Sequence, residues 1–125
     1  MWGSVGTILL VDDDAQIRRL IQMTLGAQGH TLIEAGDGGP ALEMARRERP
    51  DLMIVDLAMP GVDGIEVCRE IKSSPETRDI HVVILTARAG EGNRRQALEA
   101  GANVFMIKPF SPLALLRLVE DLLAV

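Results

Sequence analysis

Five short apolar runs recur along the chain, and an amphipathic segment of helical length follows each one. The runs are Thr7-Ile8-Leu9-Leu10-Val11, about Thr31 to Ala35, Met53-Ile54-Val55, His81-Val82-Val83-Ile84-Leu85-Thr86, and Val104-Phe105-Met106-Ile107. A short continuous apolar run rich in β-branched residues is the pattern of a strand buried on both faces. Strands that alternate with helices at this spacing must run parallel, joined by right-handed crossovers, so the expected fold class is α/β, a doubly wound five-stranded parallel sheet of (βα)5 form. Helix signals agree with this. Asp14 can N-cap a helix in which Ile17, Leu20, Ile21, Thr24 and Leu25 form one face, with Gly26 to Gly29 as its stop. Pro40 stands near the first position of a helix running to about Glu48, whose Arg46, Arg47 and Arg49 complement the dipole at its end. Further helices are expected from about Ile65 to Ser73, up to about Ala100 with Gly101 as terminator, and from Ser111-Pro112 through Leu123.

A chain of 125 residues with 47% apolar composition can bury a core as one domain. Residues 7–123 are expected to form that domain, with residues 1–6 as an N-terminal tail. No run approaches the roughly 18 apolar residues of a membrane helix, and no leader pattern opens the chain, so a cytoplasmic location is the expectation. Cys68 is the single cysteine, which leaves disulfides and thiolate clusters out of account and suits a small buried hydrophobe on a helix. The formal charge of −5 argues against a nucleic-acid surface within the domain.

The strand ends carry the chemistry. Asp12-Asp13-Asp14 follows the first run, Asp56 the third, Thr86 ends the fourth and Lys108 follows the fifth. Asp14 has a capping duty, which leaves Asp12 and Asp13 without a structural one. In open α/β sheets ligands gather at the carboxyl ends of the strands. If strands one, three, four and five lie side by side, these groups meet. Mg2+ is a hard ion that takes oxygen ligands and keeps several waters, so Asp13, Asp56 and a backbone carbonyl after Asp56 would hold it, with Asp12 acting through water. Asp56 would then be the nucleophile for a phosphoryl group and the phosphoacceptor. Mg2+, the Lys108 ammonium, and the Thr86 hydroxyl with the nearby backbone N–H of Ala87 would share the equatorial oxygens.

Val11-Asp12-Asp13, Asp56-Leu57-Ala58-Met59-Pro60-Gly61-Val62-Asp63-Gly64, Leu85-Thr86-Ala87 and Lys108-Pro109-Phe110, in this order, resemble the receiver domain of bacterial two-component response regulators. The similarity runs from about Thr7 to Leu123. It implies a strand order of 2-1-3-4-5, as in flavodoxin-like chemotaxis regulators. It also implies that a histidine kinase or phosphotransfer protein donates the phosphoryl group, and that small donors of the acetyl phosphate kind can serve. The domain is then expected to catalyse its own phosphorylation and dephosphorylation without independent turnover. Resemblance further implies a switch surface of helix 4, strand 5 and helix 5 for a downstream protein target or a homodimer; charge and hydropathy lead to the expectation of no direct nucleic-acid or membrane partner. Thr86 and Phe105 are the implied switch residues.

Two positions depart from the family pattern. Phe105 can fill the space behind Thr86 but lacks the hydroxyl of the commoner Tyr, and an ordinary core role is the other reading. Ala58, two after Asp56, can still offer its backbone carbonyl to the metal, but its short side chain leaves the phosphoryl group more open to water or to a partner. Leu116, Val119 and Leu123 fit a core stripe on the last helix, while Leu115, Leu118 and Leu122 form a second, which suits either a partner surface or a broad buried face. Three alternatives stand beside the phosphoacceptor reading. An aspartyl-phosphate phosphatase would want an acid where Ala58 stands. A flavin or nucleotide binder would want a phosphate cradle where the chain has three acids. A degenerate receiver would bind partners without phosphorylation, and the intact set of five groups disfavours it.

Overall fold

A computed structural model describes residues 5–59, 61–88 and 90–124. Most of the expected 1–6 tail, Pro60 of the expected turn and Ala89 of the loop after the fourth strand lie outside the described residues. The strands are β1 (Thr7–Val11), β2 (Thr31–Ala35), β3 (Leu52–Val55), β4 (His81–Thr86) and β5 (Val104–Ile107). The helices are α1 (Ala15–Gly26), α2 (Gly38–Glu48), α3 (Gly64–Ser73), α4 (Glu91–Glu99) and α5 (Pro112–Leu123). All strand pairs are parallel, and the sheet order is β2-β1-β3-β4-β5. The fold is the expected doubly wound α/β sheet.

Strand side chains alternate between the two faces, so the sheet separates two cores. Leu9, Val11, Met53, Val55, Val82 and Ile84 face α2, α3 and α4. Ile8, Leu10, Leu52, Ile54, Val83 and Leu85 face α1 and α5. Burying each such side chain contributes about 1.5–3 kcal/mol, which explains why strands covered on both faces read as unbroken apolar runs. Cys68 is buried in the first core, its Sγ 3.6 Å from the Ala100 carbonyl, and burial pushes its thiol up to about 11. It is the small hydrophobe its position suggested.

Two helices differ in detail from expectation. α2 begins at Gly38, which places Pro40 third in the helix rather than first. A first-turn N–H has no intrahelical partner, so proline is tolerated there. On α5 the deepest residues are Leu115 and Val119, while Leu116, Leu118, Leu122 and Leu123 are partly buried against the same core. Leu115 therefore belongs to the core rather than to a second stripe. The helix packs on the sheet and on α1 together, so a broad apolar face is used internally.

Two pairings level the strand ends. Val11 pairs with Val55, so Asp12 and Asp56 leave the sheet beside each other, and the Asp56 N–H donates to the Val11 carbonyl at 2.9 Å. Thr86 pairs with Ile107, and the Lys108 N–H donates to the Thr86 carbonyl at 2.7 Å. β1 leads to β2 on one side while β3 lies on the other. That reversal is the topological switch point at which open α/β sheets place their ligands.

Candidate functional site: an acid cluster bridged by lysine

Asp12, Asp13 and Asp56 each offer a carboxylate oxygen, and these atoms lie within 4.8 Å of one another. Asp12 and Asp56 are buried and Asp13 is exposed. Lys108 reaches in from the end of β5: its Nζ lies 2.8 Å from Asp12 Oδ2 and 3.2 Å from Asp56 Oδ2. Burial pulls Lys108 down, but its two carboxylate partners outweigh that effect and hold the ammonium above the ordinary lysine value. Burial likewise pushes the Asp12 carboxyl up, against the opposing pull of Lys108 and the Asp14 N–H. Ionised, three carboxylates against one ammonium leave two negative charges in excess.

Local hydrogen bonds aim these groups. Asp12 Oδ1 accepts the Asp14 N–H at 2.9 Å, and Asp14 caps α1 by accepting from the Gln16 and Ile17 N–H groups. Asp56 Oδ1 accepts the Ala58 N–H at 3.2 Å, turning the chain just after the acid. Gly64 opens α3 directly against this turn, its N–H donating to the Leu57 carbonyl at 2.9 Å. A Cβ at Gly64 would collide with the Asp56 carbonyl, so only glycine lets α3 start here.

Of the residues expected at the site, Asp12, Asp13, Asp56 and Lys108 come together directly. Thr86 ends the neighbouring strand, almost wholly buried, and its Oγ1 accepts the Arg88 N–H at 3.1 Å. Ala58 is half-buried and Ala87 exposed. Phe105 pairs with Ile84 in the sheet and packs, half-buried, on the core beneath α4. After Asp56 the chain runs through Leu57, Ala58 and Met59, which line a cavity of about 460 Å³ together with Arg88 and Asn93 among others. Sequence reasoning missed Arg88, whose only signal was its place two residues after Thr86.

The chain matches the family described as the response regulator receiver domain over residues 8–120. It belongs to that family. Response regulator PleD of Caulobacter vibrioides is 44% identical over 115 residues, covering 92% of this chain and 25% of PleD. Transcriptional regulatory protein ResD of Bacillus subtilis is 43% identical over 116 residues, covering 93% of this chain and 47% of ResD. The chain thus spans between a quarter and half of these relatives. Among solved structures, a response regulator from Chloroflexus aurantiacus superposes with a TM-score of 0.92 at 32% identity, covering 98% of this chain and all of that one. The BeF3-activated receiver domain of Klebsiella pneumoniae RstA superposes at 0.87 with 30% identity, covering 95% of this chain and 99% of that one. This receiver domain is of the two-component signalling type, and the degenerate alternative is not favoured. No helix among the described residues is long and apolar enough to cross a membrane.

Proposed function

We propose that the receiver unit, residues 7–123, accepts a phosphoryl group on Asp56. The observation that carries this reading is the placement of Lys108 against Asp12 and Asp56 beside a third acid. That arrangement stabilises a carboxylate nucleophile and supplies a cation for an incoming oxyanion. The donors are all hard oxygens and carry an excess of two negative charges, which a divalent ion of the Mg2+ kind would neutralise. Asp13, Asp56 and the Ala58 carbonyl would hold Mg2+, with Asp12 acting through water. Bound there, it would supply charge neutralisation at one equatorial phosphoryl oxygen.

An Asp56 oxygen attacks phosphorus while the bond from phosphorus to the donor breaks. The ammonium of Lys108 turns from the carboxylates to a phosphoryl oxygen. The Thr86 hydroxyl and the Ala87 N–H take another. Thr86 then moves toward the product, and Phe105 follows into the space behind it. The surface so altered is α4, β5 and α5, where Leu98, Ile107 and Leu113 are exposed apolar residues. The donor is a histidine kinase or phosphotransfer protein, the recipient a downstream protein or a second copy of this chain, and the setting the cytoplasm.

Incubation with acetyl phosphate and Mg2+, followed by intact mass measurement, tests this. One added phosphoryl group is expected, absent with EDTA and absent in Asp56→Asn. Equal labelling of Asp56→Asn would remove the assignment.

A further inference from the structure

Arg18 and Glu34 have no part in the chemistry above, yet their placement is costly. Glu34 of β2 is level with Leu10 of β1, on the sheet face covered by α1 and α5. An apolar side chain would pack there. Instead, Glu34 Oε1 accepts from Arg18 Nε at 2.8 Å, with the two side chains 32% and 22% exposed. Ordering two long side chains costs rotamer freedom, and a partly exposed ion pair returns little stability.

Arg18 makes a second bond: its Nη1 donates to the main-chain carbonyl of Asp12 at 2.5 Å. That carbonyl belongs to the peptide joining Asp12 to Asp13. The Asp12 carboxylate is already held by the Asp14 N–H and by Lys108. The Asp13 carboxylate is exposed, and among the described residues no hydrogen bond holds it. With no bond of its own, its placement depends on where its backbone stands. The other restraint on this peptide's near end is the Asp12 N–H, which donates to the Ala35 carbonyl at 3.3 Å.

We infer that Arg18, clamped by Glu34, is a positioning residue for the cation site. It fixes the plane of the Asp12–Asp13 peptide and so keeps the Asp13 carboxylate turned toward Asp12 and Asp56. The inference rests on the reading of Asp13 as a cation ligand given above. Groups that orient metal ligands from behind control affinity, and removing one commonly weakens binding by 10–100-fold. Here the action passes through a backbone carbonyl, so the lower end of that range applies.

The test uses the full chain and the variants Arg18→Met, Arg18→Lys and Glu34→Gln, with Mg2+ binding measured by calorimetry well below each melting temperature. Thermal unfolding in EDTA runs alongside. Arg18→Met is expected to bind Mg2+ about tenfold more weakly. Arg18→Lys and Glu34→Gln fall between it and the wild type, because each retains one arm of the clamp. The Asp13 amide resonance is expected to shift in Arg18→Met and to move back toward the wild-type position in Arg18→Lys. A role confined to tying α1 to β2 would lower the melting temperature and leave Mg2+ affinity within twofold. That result overturns the inference. If Arg18→Met does not fold, unchanged affinity in both Arg18→Lys and Glu34→Gln overturns it equally. A wild-type chain that binds no Mg2+ removes the cation reading and this inference with it. Wild-type binding with unaltered variants removes the inference alone.

Discussion

Burial pushes the Asp12 carboxyl up, the Asp56 charge beside it adds to that, and the bonds from Lys108 and the Asp14 N–H only partly offset it. Its folded carboxyl titrates above its unfolded value, so the folded state binds that proton more tightly. Stability then falls as pH rises from the unfolded value through the raised folded one. Asp12→Asn should accordingly raise the melting temperature at pH 7 without added metal, by about 3 °C. The gain should vanish below the unfolded carboxyl's value near 3.8, where the native acid is neutral too. A lower melting temperature in Asp12→Asn at pH 7 would show that its bond to Lys108 outweighs the cost of burying its charge. Lys108 has the opposite dependence: its stabilisation is full below its unfolded value and is lost as pH rises through the raised folded one. The Ala58 N–H donates to Asp56 Oδ1 at 3.2 Å, so an amide side chain at that position should shield an acyl phosphate from water. In Ala58→Asn the phosphorylated form should decay about threefold more slowly, equivalent to about 0.6 kcal/mol of barrier. Equal decay rates, followed by intact mass after donor removal, would set that idea aside.

Elements position these residues through their ends. β1 and β3 finish level, Asp14 starts α1 immediately behind the acids, and Gly64 starts α3 against the Asp56 backbone. Gly64→Ala would force a Cβ into that backbone, and overpacking of this kind costs about 1–3 kcal/mol. The expected outcome is a destabilised domain with slower phosphorylation, read by denaturant melts and by labelling rate. A neutral effect on both would show that α3 can shift without disturbing Asp56. The strands were legible because burial on both faces leaves an uninterrupted apolar signature, and Asp14 and Ser111 could be foreseen as caps from side-chain chemistry. The faces of α5 were not. A helix packed on a sheet and a neighbouring helix buries more than one stripe, and periodicity does not say which leucine lies deepest.

At the scale of the molecule, side chains from positions 12, 13, 56 and 108 meet because the sheet reverses direction between β1 and β3 and brings β5 round through β4. Residue types at strand ends announced the chemistry, whereas the strand order came from family resemblance and not from any local pattern. Arg18 and Glu34 were invisible for a related reason. Nothing in a spacing of sixteen residues reveals that β2 packs under α1. Arg88 was passed over because an exposed loop arginine looks like ordinary surface. The account as a whole depends on Asp56 being the acceptor within a cage of acids and one mobile ammonium. A crystal structure of the chain grown with Mg2+ and beryllium fluoride tests this most directly. The expected result is beryllium fluoride on the Asp56 carboxylate, with Lys108 moved from Asp12 onto a fluorine. Asp56 left bare, with Lys108 still bridging it to Asp12 under saturating reagent, would contradict the account.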